Sequence, residues 1–413
     1  MRAWGLAALL LFSTTIQAQL LNLKSGHLKG QYLLGTYPDD SLIRDFVGTP
    51  THDLNADLRL LIDGRKDNWS WQGDYQMVLR SGDTLELRQA LADNILSPAA
   101  VQNDDRRLMD LTHVISDNDN RILLYRMDRL HLAYTGDKIV VRAGRQAVSW
   151  GNGLIYNPVD FFNPFDPAAV DTEYKAGDDM LYAQYLQDSG NDFQFVSVWR
   201  RDDDGHTDHD VNTNALKYHA FIGEREVDVL LAQHYEDDIF TTGGVSSWGG
   251  AIVRGDIVVT HTDLDTYLSA VANVSYSWTW GGKNMSGVFE YFHNGLGLEE
   301  NDYDNLQQET DLVARLTRGE LFTVGKNYLA GGVTIEMTPL INISPNAFFN
   351  IGDGSGLAQL VGQYNFKQNW LFLMALNVPF GSSGTEFGGL DSGIPDKQLS
   401  NGPGVFAQIA FYF

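Results

Sequence analysis

Residues 268–280 read LSAVANVSYSWTW, and the fold follows from how this stretch is divided. Its even positions carry Leu268, Ala270, Ala272, Val274, Tyr276, Trp278 and Trp280, whereas Ser269, Asn273, Ser275, Ser277 and Thr279 lie between them. A period of two puts the two sets on opposite faces of a β-strand, one apolar and one polar. The alternation recurs along the chain. Leu54, Ala56, Leu58, Leu60 and Ile62 oppose Asn55, Asp57, Arg59 and Asp63. Trp69, Trp71, Tyr75, Met77 and Leu79 oppose Ser70, Gln72, Asp74, Gln76 and Arg80. Leu329, Val333, Ile335 and Met337 oppose Thr334 and Glu336. Residues 193–201 and 370–380 are ambiguous, because both faces carry apolar groups.

A soluble sandwich shows the same alternation, because its apolar faces bury each other. Three features assign the apolar face to lipid instead. Aromatics bunch at strand ends (Trp69 and Trp71; Tyr276, Trp278 and Trp280; Phe411, Tyr412 and Phe413), as girdles at two membrane interfaces require. Short connections, such as Gly136-Asp137, Gly281-Gly282-Lys283 and Thr338-Pro339, alternate with long ones near 81–120, 150–178, 202–212, 295–325 and 381–402. The chain also closes on a strand ending in Phe413. Walking from an internal N-terminus, with a turn at Arg254, Gly255 and Asp256, restores even parity. The expected fold is therefore an all-β, transmembrane antiparallel barrel of 18 strands, with 16 as the alternative.

The averages conceal this. A mean hydropathy of −0.22 and 43% hydrophobic residues describe a soluble chain only when the rival is a helical membrane protein, which needs about 20 consecutive apolar residues per span. The one apolar run is residues 3–12 (AWGLAALLLF), behind Arg2 and ahead of small residues ending at Ala18. That is the pattern of a signal peptide at 1–18, leaving 19–413 as one barrel domain. With no cysteine, neither disulfides nor thiolate metal sites exist. A net charge of −24 repels nucleic acid.

A barrel of this size is wide enough for an aqueous channel. Its polar faces would line the lumen with Asp57, Arg59, Asp74, Arg80, Arg142, Lys217, His219, His234, Glu236, Glu290 and Glu336. Acids outnumber bases there, which predicts a mild cation preference.

Val405, Ala407, Ile409, Phe411 and Phe413 form one apolar face ending on an aromatic residue. This resembles the terminal strand of Gram-negative outer-membrane porins. The resemblance implies an outer-membrane location, with Ile409, Phe411 and Phe413 as the signal read by the barrel assembly machinery. Residues 144–151 (GRQAVSWG), ahead of an Asn-Pro-rich loop, resemble a segment of uncharacterised porin-like proteins. The loop at 150–178 is the third external one and carries Phe161, Phe162 and Phe165, which are unsuited to open water. Porin-type barrels constrict themselves with their third loop. The expectation is an inward-folded loop placing Asp160, Asp166, Asp171 and Glu173 near the eyelet, with Arg145 turned inward by a bulge.

Within 81–120, residues 85–96 and 106–115 have helix-like apolar spacing. The acidic run at 202–210 lacks the spacing of an EF-hand loop and reads as solvated, with no metal. No nucleophile elbow, zinc-protease, P-loop or dinucleotide fingerprint occurs, so no enzyme and no cofactor is expected. The reading is a passive channel for small polar solutes, in contact with outer-membrane lipid and lipopolysaccharide. The alternatives are a non-conducting barrel in export or lipid handling and a hydrolase sited at the rim. Oligomeric state is left open.

Overall fold

The computed structural model describes residues 22–85, 87 and 103–413. The signal-like segment 1–18 and most of residues 85–96 lie outside the described residues.

Eighteen antiparallel strands close into one barrel. The first six are β1 (Asn22–Gly35), β2 (Thr51–Lys66), β3 (Trp69–Gly82), β4 (Arg121–Thr135), β5 (Ile139–Gln146) and β6 (Asp178–Leu186). Next come β7 (Asp192–Val198), β8 (Thr213–Ile222), β9 (Arg225–His234), β10 (Asp237–Trp248), β11 (Ala251–His261) and β12 (Thr266–Trp280). The last are β13 (Lys283–His293), β14 (Asn327–Thr338), β15 (Ile341–Asn350), β16 (Gly356–Lys367), β17 (Trp370–Phe380) and β18 (Gly404–Tyr412). Each pairs with its sequence neighbours, and β18 closes the ring on β1, with His27 opposite Tyr412 and Gly35 opposite Gly404. Beyond the strand, Phe413 exchanges both backbone hydrogen bonds with Gly26, at 2.8 and 3.0 Å. A Cβ at Gly26 would lie 2.6 Å from the Phe413 ring, so the seam requires glycine there.

The parity of β12 is realised in space. Leu268, Tyr276 and Trp280 are exposed on the outer face, whereas Ser269 and Asn273 are buried inside. At the end of the short turns the outer aromatics form a girdle, with Trp69 against Tyr134, Tyr276 against Trp278 and Trp370 against Phe411. Among the described residues no helix is long and apolar enough to cross a membrane.

The structure corrects three local expectations. Arg254, Gly255 and Asp256 lie within β11 rather than in a turn. The turn is Gly249-Gly250, at φ 56° and 86°, with the same positive-φ pair as Gly281-Gly282 at 57° and 74°. Two positive values in succession are what a two-residue type I′ hairpin needs, and glycine supplies them without steric cost. The shift also removes Glu236 from the wall, because it sits exposed in the Tyr235-Glu236 turn. Thirdly, Thr112–Asn118, which overlaps the end of the stretch with helix-like spacing, is a strand. It pairs with β4 along the half that β5 leaves uncovered, so a free sheet edge overrides local periodicity.

At the external mouth, α1 (Leu42–Val47) follows β1. The loop 294–326 contains a 3-10 segment, Glu300–Gln308, and α2 (Thr310–Arg318). Leu298, Tyr303, Leu306, Leu312, Val324 and Leu390 give this cap its own small core.

Candidate functional site

Loop 147–177 leaves the end of β5, folds into the barrel and runs around its inner wall. Its first half is held by apolar burial. Val148, Trp150, Phe161 and Phe162 bury against Met180, Val196, Val198, Leu230, Ile239 and Val258 on the inner faces of β6 to β11. Fully burying one such side chain contributes roughly 1.5–3 kcal/mol. Val196 and Val198 account for the doubly apolar reading of residues 193–201, since Phe193 and Phe195 are exposed on the outer face and the loop covers the inner one.

Polar clamps take over where the apolar wall ends. Asp256 on β11 accepts from the Asn152 backbone N–H and from its Nδ2, both at 2.6 Å. Glu290 on β13 accepts from the backbone N–H groups of Leu154, Ile155 and Tyr156 at 2.7, 3.0 and 2.6 Å. Asn273 on β12 donates to both Glu290 and the Asn152 carbonyl. Farther on, Gln359 on β16 donates to the Ala168 carbonyl at 2.8 Å. Lys29 on β1 holds Asp171 at 2.6 Å and Glu173 at 2.8 Å, and Tyr412 donates to Glu173 at 2.9 Å. The loop then returns past β4, where Arg129 donates to the Lys175 carbonyl. Lys175 itself meets Asp160 at 2.5 Å, an ion pair within the loop with both partners buried.

Between the loop and β1 to β4 a cleft of about 210 Å3 remains. It is lined by charges of both signs, among them Lys29, Asp57, Arg59, Arg80, Arg126 and Asp171. Arg59 bonds Asp128 at 2.7 Å and lies over the Tyr174 ring at 4.1 Å. Asp57 meets His27 at 3.1 Å and accepts from Gln76. The open part of the barrel interior thus lies towards β1 to β4, because the loop and apolar side chains fill the side formed by β6 to β11.

No family model and no curated protein matches the sequence. Solved structures match by shape. The chain is similar to a BenF-like porin from Pseudomonas fluorescens Pf-5, at 8% identity and a TM-score of 0.53, over 96% of this chain and 100% of that one. The fold is that of a porin. OccAB1 of Acinetobacter baumannii matches at 8% identity and 0.54, over 94% of this chain and 95% of its own. OccAB4 of the same organism matches at 9% and 0.52, over 97% and 100%.

Within this porin fold the remaining sequence-derived residues take separate places. Arg145 is buried without a bulge: β5 keeps an unbroken register, which leaves Arg145 on the same parity as the exposed Leu130 rather than on that of the inward residues. Its partners are Asp179 on β6 and Asp104 in loop 83–120, each at 2.8 Å, and the Met109 carbonyl at 2.6 Å; none belongs to loop 147–177. Arg142 lies over Tyr182 at 4.3 Å. Lys217 and His219 share Asp228, at 3.1 and 2.8 Å. His234 is fully buried between the Thr213 hydroxyl at 2.8 Å and Glu320 at 2.9 Å, with the Phe161 ring 4.8 Å away. Asp74 accepts from Gln72 at 3.0 Å. Glu336 accepts from Asn284 at 2.9 Å, near the short-turn end of β14. Phe165 and Asp166 are exposed, with Asp166 accepting the Ala168 N–H at 2.8 Å. Ile409 and Phe413 are exposed on the outer face. Asp202, Asp204 and His206 form one cluster and Asp208, His209 and Asp210 another, with Asp202 and Asp208 half-buried and the rest exposed.

Several site residues escaped the sequence reading. Asp128 and Arg129 both point inward because β4 carries a bulge: Asp74 faces Arg129 and Tyr75 faces Met127, leaving Asp128 extra. Two adjacent charges in an alternating strand were the available signal. His27 and Lys29 alternate with Leu28 and Gly30, a legible pattern in β1. Asp256 was hidden by the misplaced turn.

The external cap is tied to loop 147–177 through Tyr328, which packs on Tyr156 and donates to Glu386 at 2.5 Å. The other Glu386 donors are also neutral, the Val324 N–H at 2.7 Å and Asn350 Nδ2 at 2.8 Å. Burial pushes the Glu386 carboxyl above its ordinary value; these hydrogen bonds oppose the rise and Asp353 adds to it. A pKa raised on folding gives stability that is complete below the unfolded value and is lost as pH rises through the folded one. Amide exchange in loop 294–326, corrected for its intrinsic pH dependence, should therefore quicken as pH is raised. Glu386→Gln should flatten the profile. A flat profile in the unaltered protein would show that the latch does not titrate.

Proposed function

We propose that the protein is a passive diffusion channel of the bacterial outer membrane for small polar solutes, narrowed by loop 147–177 and mildly cation-preferring. One observation carries this reading: the loop is clamped to opposite walls of an 18-stranded barrel and leaves a polar cleft beside it. Wall groups of both signs would exchange their contacts with water for contacts with the solute, lowering the barrier to passage without any covalent step. The apolar outer face with its aromatic girdle supports placement in lipid. Contact with lipopolysaccharide, and recognition of Ile409, Phe411 and Phe413 by the assembly machinery, belong to the same reading. No cofactor is required.

Single-channel conductance in planar bilayers tests the proposal. A folded barrel that never conducts would favour the export or lipid-handling alternative. Ion preference has a more local test. Asp160 is paired with Lys175, so the loop acids to alter beside the open cleft are Asp171, which lines it, and Glu173, and both neutralise Lys29. Asp171→Asn combined with Glu173→Gln should unmask Lys29 and move the reversal potential in a salt gradient towards anions, and Lys29→Ala should move it the other way. An unchanged potential in both would place this part of the loop off the ion path.

A further inference from the structure

The outer wall carries an apolar trench of about 790 Å3 that runs across β17, β18, β1, β2, β3 and β4. Small side chains form its floor. Gly30 stands opposite Ala56 on one side and Ile409 on the other, and Ala407 stands opposite Tyr32 one step along. Leu54, Phe372 and Ile409, all exposed, rise on its flanks together with Leu79. A lipid-facing wall is ordinarily levelled by large apolar side chains; three small ones on adjoining strands leave a channel wide enough for a hydrocarbon chain.

The trench has a polar end. Where β3 and β4 reach the external mouth, Ser81 stands opposite Arg121, and Arg121 stands opposite Asn118 on its other side. Arg121 is exposed, and Ser81, Ser116 and Asn118 line the trench with it. Tyr32 and His52, joined by a 2.7 Å hydrogen bond, lie close by on the same face. An apolar trench ending in a guanidinium and several small hydrogen-bonding groups is complementary to one kind of occupant, an anionic amphiphile with its tail along the wall and its phosphate at the rim.

We propose that this trench binds one acyl chain of a phosphorylated glycolipid of the external leaflet, with Arg121 on its phosphate. The proposal rests on the outer-membrane reading above and adds a defined lipid site to it. The chain gains by burial against Gly30, Ala56 and Ala407, and the head gains one charge-assisted contact.

The test is native mass spectrometry of the full barrel released from detergent and titrated with bis-phosphorylated lipid A. The unaltered protein should retain one lipid. Ala56→Trp, which fills the floor, should weaken retention by more than about tenfold, comparable to losing about two buried methylene groups. Arg121→Glu should weaken it by more than roughly fivefold, since one basic residue at a membrane surface is worth about that factor. Dephosphorylated lipid A should behave like the Arg121→Glu variant, and phosphatidylglycerol should bind more weakly than lipid A. Both positions share the outward parity of Leu54 and Leu123, so heat-modified migration should be unchanged and report an intact barrel.

Equal retention by the unaltered protein and Ala56→Trp would overturn the proposal. So would equal binding of phosphatidylglycerol. A protein dimer that Ala56→Trp disrupts would identify the trench as an interface between copies and also overturn it. Lipid retention in a barrel that never conducts would leave this site standing while the channel reading fell.

Discussion

Glu290→Ala should detach the middle of loop 147–177 from the barrel wall and raise single-channel conductance. Glu290 is the acceptor for three consecutive backbone N–H groups, from Leu154 to Tyr156, and for Asn273. Hydrogen bonds to a charged group contribute about 1.5–3 kcal/mol each, and donors left unpaired inside the protein cost a similar amount. Because the bonds act as a unit, their loss is not additive; roughly 4 kcal/mol is a reasonable scale for the clamp. The loop can recover those bonds only by moving into the aqueous cleft, where water satisfies them. The expected record is a larger mean conductance with frequent transitions between substates, and faster amide exchange at 152–156. Glu290→Gln keeps an acceptor oxygen without the charge and should fall between. If conductance is unchanged while exchange at 152–156 quickens, the loop moves without lying in the ion path, and its role as the constriction is wrong.

How far this arrangement can be read from sequence depends on whether each residue's surroundings are local. Strand parity is local, so the two faces of β12 follow from alternation alone, whereas the count of 18 needed the even number of strands that a barrel with both ends inside requires. Turn geometry is local as well, and Gly249-Gly250 carries the same signal as Gly281-Gly282. It was passed over because Gly255, an internal strand residue, offered a competing break. Loop 147–177 is partly legible: phenylalanines such as Phe161 and Phe162 in an external loop call for an apolar partner, and Val196 and Val198 put apolar groups on the face opposite Phe193 and Phe195. Which wall residues clamp the loop is not legible. Glu290 lies 134 residues from Tyr156, and the tie between them depends on how the barrel curves. Nor does parity reveal a residue displaced by a bulge, as Arg129 is.

Arg145 is the position where loss of one side chain should cost the most stability. Its guanidinium joins two buried carboxylates from different parts of the chain, Asp179 on β6 and Asp104 in loop 83–120, and also bonds the Met109 carbonyl. Arg145→Ala leaves both carboxylates buried without this cation, a change that typically costs about 3–5 kcal/mol. Arg107, at 3.1 Å from Asp104, recovers part of that for one carboxylate only. The expected result is a lower denaturant midpoint and release of residues 103–111 to proteolysis while the barrel strands persist. Combining Arg145→Met with Asp104→Asn and Asp179→Asn removes the stranded charges, so the triple variant should be more stable than Arg145→Ala. If it is less stable, the cluster contributes through its ion pairs rather than through the penalty of breaking them. The pH dependence gives a separate check. Although burial opposes it, the hydrogen bonds and charge of Arg145 hold the Asp104 carboxyl below its ordinary value. A pKa depressed on folding gives stability that is present above the unfolded value and is lost as pH falls through the folded one. Without Arg145, burial raises the Asp104 carboxyl, and the acid-side loss of protection in residues 103–111 should begin at a higher pH than in the unaltered protein. An identical acid limb in both would mean that Arg107 or solvent, not Arg145, sets the charge state of Asp104.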